Sequence, residues 1–501
     1  MTTFIPDLTA KRAQLSPESV AFRDLVRGTS LNYRELDDRA RRAAGLLTNR
    51  GVSQEDRVAV LCRNRIEFFE LLFACAKIGA YLVPLNWRMP ATELAPLVQD
   101  AEPVLLLFGD EDADAANDLA PAGTRLLALD DADNSGYAAL RDDSDPHPGR
   151  RHWPAEDTWY LLYTSGTTGK PKAVIQSYGM AIANTVNIAQ AMSIGADDVT
   201  LNYLPLFHTA GINLVTLPTL IQGGEVLMMP GFDLERLIDL LSRGALDTFF
   251  GVPAVYQQIS LHPDFHSLDL STLRSWGCGG APMPDDLVSG YLERGARVCN
   301  GMGMTETGPT VFLMDPVHVE EKIGSVGKPQ LLSSVRLVNS DGQDVRQGET
   351  GELWFAAPGI TPGYWRHPDA TAEAFSADGW LKSGDIGRCD AEGYYYIVGR
   401  IKDMFISGGE NVYPAEVENI LAKHPDILEA AVVAIPDDKW GEVGCAHMLP
   451  RPGHRLPDAS EMAAFCRQHL APYKVPRRFI VVDDFPRTAA GKVQKHLLGD
   501  A

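Results

Sequence analysis

Apolar residues recur at helical and strand spacings in alternation over most of this chain. Between residues 32 and 49, Leu36, Ala40, Ala43, Ala44 and Leu47 fall near helical spacing. Asn32 can cap that helix and Glu35 stands three residues on, the arrangement of a capping box. Residues 58–61 read as a strand, 68–78 as a helix, and 81–85, 104–108 and 126–129 as further strands, with Gly51 and Gly79 at helix exits. Residues 129–153 keep no period and are dominated by Asp, Pro, Gly and Arg, which predicts a surface excursion. Patterning resumes with the apolar run 159–162. A strand at 201–206, a buried helix at 210–220 and a strand at 225–229 follow. Next come a helix capped by Asp233 and carrying Leu234, Leu237, Ile238 and Leu241, and a strand at 248–252. Strand, helix, strand with short turns is α/β grammar.

After Gly324 the pattern becomes that of a smaller β-rich unit, with strands at 335–338 and 351–355 and hairpin-like turns at 340–342 and around Gly348. The expected boundary lies near 400. Residues 1–401 form a large α/β region of mixed and parallel sheets flanked by helices. Residues 402–501 form a small α+β unit, in which Pro414 starts a helix bearing Val417, Ile420 and Leu421. A chain of 501 residues exceeds what one growing core supports, so at least two domains are expected.

The stretch 163–172, Tyr-Thr-Ser-Gly-Thr-Thr-Gly-Lys-Pro-Lys, packs four hydroxyl side chains besides the tyrosine, two glycines and two lysines after a strand end. Its backbone N–H groups and hydroxyls can surround phosphate oxygens while a lysine adds charge. The common nucleotide P-loop needs four residues between its first Gly and the Gly-Lys, then Ser or Thr. Here two residues separate Gly166 from Gly169, and Pro171 follows Lys170, so a kinase- or ATPase-like loop is unsupported. Four more clusters carry candidate chemistry: 204–211 with His208, 277–283 with four small residues, 301–307 with Glu306, and 379–385 with Asp385. Glu306 is a hard oxygen ligand suited to Mg²⁺ shared with phosphates.

The 163–172 stretch closely resembles the signature loop of the adenylate-forming superfamily, which spans acyl- and aryl-CoA synthetases, peptide-synthetase adenylation domains and luciferases. Pro-Arg-Thr-x-x-Gly-Lys at 486–492 resembles that family's lysine loop, and the motifs occur in family order from Asn32 to Lys495. The resemblance implies that Thr164, Ser165, Gly166, Thr167, Thr168, Gly169, Lys170 and Lys172 hold ATP. It assigns the nucleotide further contacts from Gly280, Ala281, Pro282, Gly301, Met302, Gly303 and Met304. Met302 stands where the family usually has an adenine-stacking Tyr, and its thioether covers the ring instead. His208, Gly211, Phe250, Gly279 and Met304 are implied to line the acid pocket, with Gly211 leaving room for the acid. Thr305 contacts phosphate, Glu306 holds Mg²⁺, and Asp385 binds the ribose with Arg400 as its partner. Lys402 is the implied hinge, and Ser407, Gly408 and Gly409 line a pantetheine tunnel. Lys492 is the implied catalytic ammonium, with Arg487 and Lys495 as neighbouring cations.

The implied reaction is an acid–CoA ligation through an acyl-adenylate, releasing pyrophosphate and then AMP. The pocket residues Ile212, Leu214, Val215, Phe250, Val252, Ala254 and Met304 are mostly apolar, which suits a fatty, aryl or arylpropenoic acid. Competing readings are loading of a carrier-protein thiol, a luciferase-type oxygenase, or a non-catalytic binding relative. The lack of a carrier domain after residue 501 favours free CoA. A formal charge of -21 argues against nucleic-acid partners. No apolar run reaches transmembrane length; the 214–221 run is short and broken by Thr216, Pro218 and Thr219. Seven cysteines without a CxxC pair and a start without signal-peptide character point to reduced thiols in a cytoplasmic protein. Family analogy also allows a homodimer.

Overall fold

The computed structural model describes residues 3–121, 123–130, 135–164, 171–281, 283–487 and 492–498. It contains a large N-terminal α/β domain and a smaller C-terminal α+β domain. Two mixed sheets dominate the large domain. The first runs in the order Lys172–Ser177, Thr158–Thr164, Tyr81–Pro84, Arg57–Leu61, Leu105–Phe108, Arg125–Ala128, parallel except at the Lys172–Ser177 edge. The second has nine strands; its parallel middle includes Ser275–Cys278, Thr248–Gly251, Val199–Asn202 and Glu225–Met228. A four-stranded antiparallel sheet, Ser334–Val338 to Tyr395–Arg400, follows as the β-rich unit.

The local signals act where they stand. The helix Tyr33–Asn49 is capped by Asn32 in a full capping box with Glu35, and Asp233 accepts from the Arg236 N–H at the start of Leu234–Ser242. The helix Ile66–Ile78 is buried from Ile66 to Lys77, hence apolar nearly all round. Its charges are answered internally: Lys77 donates to Asp7 (2.8 Å) and Asp37 (2.7 Å).

Two expectations are corrected. Residues 129–153 are not merely a surface excursion. They hold the helix Tyr137–Asp142, whose Tyr137 and Arg141 are buried against Glu70, and a strand His152–Pro154 paired with Phe4–Pro6. A helix of six residues carries too few turns to show a period. The helix expected at 210–220 is broken into a π turn, Ala210–Leu214, and the helix Thr216–Gln222. The Gly211 carbonyl there accepts from the side chains of Asn202 and Thr216, which draws it out of a regular ladder.

The C-terminal domain has its own core, from Phe405 and Val412 through Val417, Leu421 and Met448 to Met462 and Cys466. Its sheet pairs Ile427–Asp437 with Gly441–Pro450 over ten residue pairs, and Pro414 opens the helix Pro414–Leu421. All seven cysteines are free thiols, six of them buried. Among the described residues no helix is long and apolar enough to cross a membrane.

Candidate active site

The strands of the second sheet end in the turns that carry the small-residue clusters. Strand alternation puts Phe249 and Phe250 on opposite faces of that sheet. Phe249 packs with Tyr203, Tyr256 and Trp276. Phe250 lies across the glycines of the neighbouring strand: a Cβ on Gly277 would meet its ring at 2.4 Å, and one on Gly279 at 3.1 Å. The same point above Gly277 is 3.3 Å from the Met192 methyl, on the helix Tyr178–Met192. Helix and sheet therefore meet over Gly277, where the Phe250 ring and the Met192 methyl fill the space above the glycine.

The His208 ring lies 4.9 Å from that of Phe207. Its Nε2 is buried and has no hydrogen-bond partner among the described residues. Burial, with Lys492 and Arg88 adding positive charge nearby, holds its pKa down at about 4. It is therefore a neutral imidazole at pH 7, able to hydrogen-bond a carboxylate or phosphate oxygen but not to pair with it as a cation. Gly211 has a local reason to be glycine, since a Cβ would lie 2.2 Å from the Pro205 carbonyl oxygen and 2.5 Å from that of Leu204.

The segment 301–307 continues from the next strand of the same sheet, Val298–Met302, parallel to Ser275–Cys278. Gly303 packs against backbone, with the Pro309 oxygen 2.0 Å from where a Cβ would be. Met302 and Met304 are half-buried against the core of the β-rich unit. Glu306 is 7% exposed and accepts from the Tyr364 hydroxyl at 2.8 Å. Burial pushes its carboxyl up, opposed by that hydrogen bond and by Arg400 and Lys172. The Thr305 carbonyl accepts from the Gln176 amide (3.1 Å), which in turn accepts from Asn213 (3.3 Å). Asn213 also donates to Thr209 and accepts from Tyr160. This buried polar network ties the 301–307 segment to the His208 segment.

Asp385 and Arg400 face each other across antiparallel strands, Arg400 Nε donating to Asp385 Oδ1 at 2.9 Å. Asp385 is 5% exposed; burial raises its pKa against the opposing pull of Arg400 and Lys492. Lys492 is half-buried, and its pKa is lowered to about 8 by burial and by Arg400, with Asp385 opposing and Lys402 adding to the fall. The flanking cations are engaged elsewhere. Arg487 pairs with Glu429 and Lys495 with Glu418, so both hold the loop to its own domain. Two ion pairs also join the domains, Arg451 to Asp286 at 2.7 Å and Lys423 to Asp285 at 3.9 Å.

The fold thus gathers His208, Glu306, Asp385, Arg400 and Lys492 around one region, with Lys172 placed over the Tyr364 ring (5.4 Å). Thr164 ends the strand leading to them and pairs with Lys172. Gly280, with φ +87°, and Ala281 follow the strand Ser275–Cys278. Gly301 sits near the end of Val298–Met302. Ser165, Gly166, Thr167, Thr168, Gly169, Lys170 and Pro282 lie outside the described residues. Lys402 is exposed in the short turn Ile401–Asp403. Ser407 is buried; a Cβ on Gly408 would strike Trp440 at 2.4 Å, whereas one on Gly409 would meet nothing within 4 Å.

Sequence reasoning missed two groups here. One is the polar network of Tyr160, Gln176 and Asn213, which no local pattern marks. The other is Arg63 and Arg88 stacked on Trp87 at 3.4 and 4.5 Å, with Arg88 5.8 Å from Phe207. A Trp-Arg pair just after a buried strand was the available signal. A magnesium ion fits the donor set. Glu306 is a buried carboxylate whose charge needs an offset, and Mg²⁺ is usually bound through one or two carboxylates together with substrate phosphates.

Comparison with known proteins places the whole chain. Residues 9–365 match the AMP-binding enzyme family and residues 416–492 the AMP-binding enzyme C-terminal domain. The chain is 42% identical to a feruloyl-CoA synthase of an Amycolatopsis species, over 97% of this chain and 96% of the relative. It is 38% identical to an indoleacetate–CoA ligase of Aromatoleum aromaticum, over 97% and 95%. Among solved structures, an o-succinylbenzoate coenzyme A synthetase from Bacillus subtilis in complex with ATP and magnesium ion superposes with a TM-score of 0.88. Sequence identity in that pair is 30%, over 99% of this chain and 100% of that one.

Proposed function

Given that the chain belongs to the AMP-binding enzyme family of adenylate-forming enzymes and is an AMP-forming acid–thiol ligase, we propose that its acid is a compact aromatic monocarboxylic acid, arylpropenoic in type, and its thiol that of coenzyme A. The observation carrying this reading is that Phe250 and Met192 meet over Gly277, between the helix Tyr178–Met192 and the strand Ser275–Cys278, and leave little depth there for a long alkyl chain. The feruloyl and indoleacetate relatives, both acting on aromatic acids, support it.

The carboxylate oxygen attacks the α-phosphorus of ATP; the bond to the β-phosphate oxygen breaks and pyrophosphate leaves. Two anions meet in this step, so fixed positive charge is what the protein must supply. Lys492 supplies it, and neutral His208 donates or accepts a hydrogen bond without adding charge. Asp385 accepts from the ribose hydroxyls, held in place by Arg400. Glu306 would hold Mg²⁺, which neutralises phosphate charge when bound. The thiolate sulfur then attacks the carbonyl carbon and AMP leaves with the bonding pair. We assign Lys402 as the hinge and Ser407, Gly408 and Gly409 to the thiol passage, so that residues 402–501 move between the two half-reactions.

Pyrophosphate release with Mg-ATP tests this on benzoate, cinnamate, ferulate, octanoate and palmitate, with and without CoA, the thioester being detected by mass. The expected result is CoA-dependent turnover, with cinnamate or ferulate favoured over palmitate by more than about tenfold in kcat/KM. Palmitate as the best acid would overturn the aromatic assignment. Pyrophosphate without a CoA thioester would overturn the acceptor.

A further inference from the structure

The Asn184 side chain is 3% exposed, and its two amide ends are not equivalent. Nδ2 donates to the backbone carbonyl of Asn213. A carbonyl only accepts, so this bond fixes which end of the amide is which. Oδ1 is left as a buried acceptor with no hydrogen-bond partner among the described residues. Such a group is costly to leave unmet, and its presence in a folded interior calls for a donor that arrives with something else.

Its position says what that something is. Asn184, Ile188 and Met192 stand four residues apart on one stripe of the helix Tyr178–Met192, and all three are buried. Met192 fixes the lower end of the stripe: its methyl reaches Gly277, and its carbonyl accepts from the Ser275 hydroxyl at 2.7 Å. The end of the helix therefore lies beside the beginning of the strand Ser275–Cys278. At 1.5 Å per residue Asn184 stands about 12 Å along the helix from Met192, at the part held by Asn213. Asn213, which holds the other end of the amide, also reaches Thr209 and Gln176, the residues that anchor the His208 and Thr305 segments.

We infer that Oδ1 of Asn184 faces the acid where the His208 and Thr305 segments meet and selects acids carrying a hydrogen-bond donor, a hydroxyl or ring N–H, on their apolar body. The inference rests on the proposed acid–thiol ligation taking place beside His208, but not on the acid being aromatic. An acid without the donor leaves the carbonyl oxygen dry and unpaired. An acid with it satisfies the group at no cost in buried apolar surface.

The test is a ratio of kcat/KM within each enzyme, so a general loss of activity cancels. Wild type and Asn184→Leu are compared on cinnamate against its 3-hydroxy and 4-hydroxy derivatives, and on octanoate against 8-hydroxyoctanoate. Wild type is expected to favour a hydroxylated member by at least about tenfold, and Asn184→Leu to bring that ratio to within about twofold of unity. Asn184→Ala is read the same way should the leucine variant not fold. No preference in the wild type, or a preference that survives both substitutions, overturns the inference. If only the octanoate pair turns over, the aromatic reading fails, and the role of Asn184 is judged on that pair alone.

Discussion

Lys492 is the residue whose chemistry is most exposed to measurement. An ordinary lysine would stay charged well past pH 10, but burial and the Arg400 guanidinium bring this one to about 8. In the role proposed for it the active form is the ammonium, present below that pKa and lost as pH rises through it. In kcat/KM for adenylate formation, which reports the free enzyme, the rate is therefore expected to fall tenfold per unit above about pH 8. Bound triphosphate favours the ammonium, so the same limb in kcat should lie at higher pH. A flat kcat/KM profile to pH 10 would remove Lys492 as the titrating group. His208 adds no acid limb in the neutral range, because its pKa is already about 4. The motif Pro-Arg-Thr-x-x-Gly-Lys singles out Lys492 in the sequence; that Arg487 and Lys495 pair with Glu429 and Glu418, 58 and 77 positions away, has no local signature.

At the scale of elements, what was written locally was readable and what was written across distance was not. The Asn32–Glu35 capping box and the Asp233 cap are contained within four residues each, so their amide-and-carboxylate logic shows in the sequence. The helix Tyr137–Asp142 is held by partners far away: Arg141 donates to Glu70 at 2.7 Å across 71 positions, and the Tyr137 hydroxyl joins it at 3.0 Å. Glu70 is fully buried, with Arg39 as a second cation at 3.2 Å. Removing the closer partner strands a buried carboxylate, so Arg141→Met is expected to cost about 3–5 kcal/mol in denaturant unfolding. A loss under 1 kcal/mol would return this segment to the surface excursion that composition suggested. The same limit applies to the site. The Tyr364–Glu306 contact spans 58 positions and the Gln176–Thr305 contact 129, and neither has a local signature. The π turn Ala210–Leu214 escaped because its apolar period is that of a helix, while its hydrogen bonds go to Asn202 and Thr216.

At the scale of the whole molecule the two domains meet with Lys492 close enough to Asp385 to feel its charge, and ion pairs join their surfaces. Arg451 reaches Asp286 and Lys423 reaches Asp285, both pairs near the surface. Exposed pairs of this kind contribute about 0.2–1 kcal/mol each, enough to bias a domain arrangement without locking it. Asp286→Asn is therefore expected to slow adenylate formation by a factor of about two to five while leaving thioester formation from supplied adenylate unchanged. Raised salt should act in the same direction. Equal slowing of both half-reactions would show the pair to be structural only.

The central claim is that Lys492, delivered by the C-terminal domain, acts in the first half-reaction and is dispensable in the second. Rapid-quench single turnovers on wild type and Lys492→Ala test it directly, following adenylate formation from acid and Mg-ATP, and thioester formation from supplied adenylate and CoA. The account predicts that the variant loses at least about a hundredfold in adenylate formation and keeps thioester formation within a few-fold of wild type. Loss of both half-reactions together, or of neither, would contradict it.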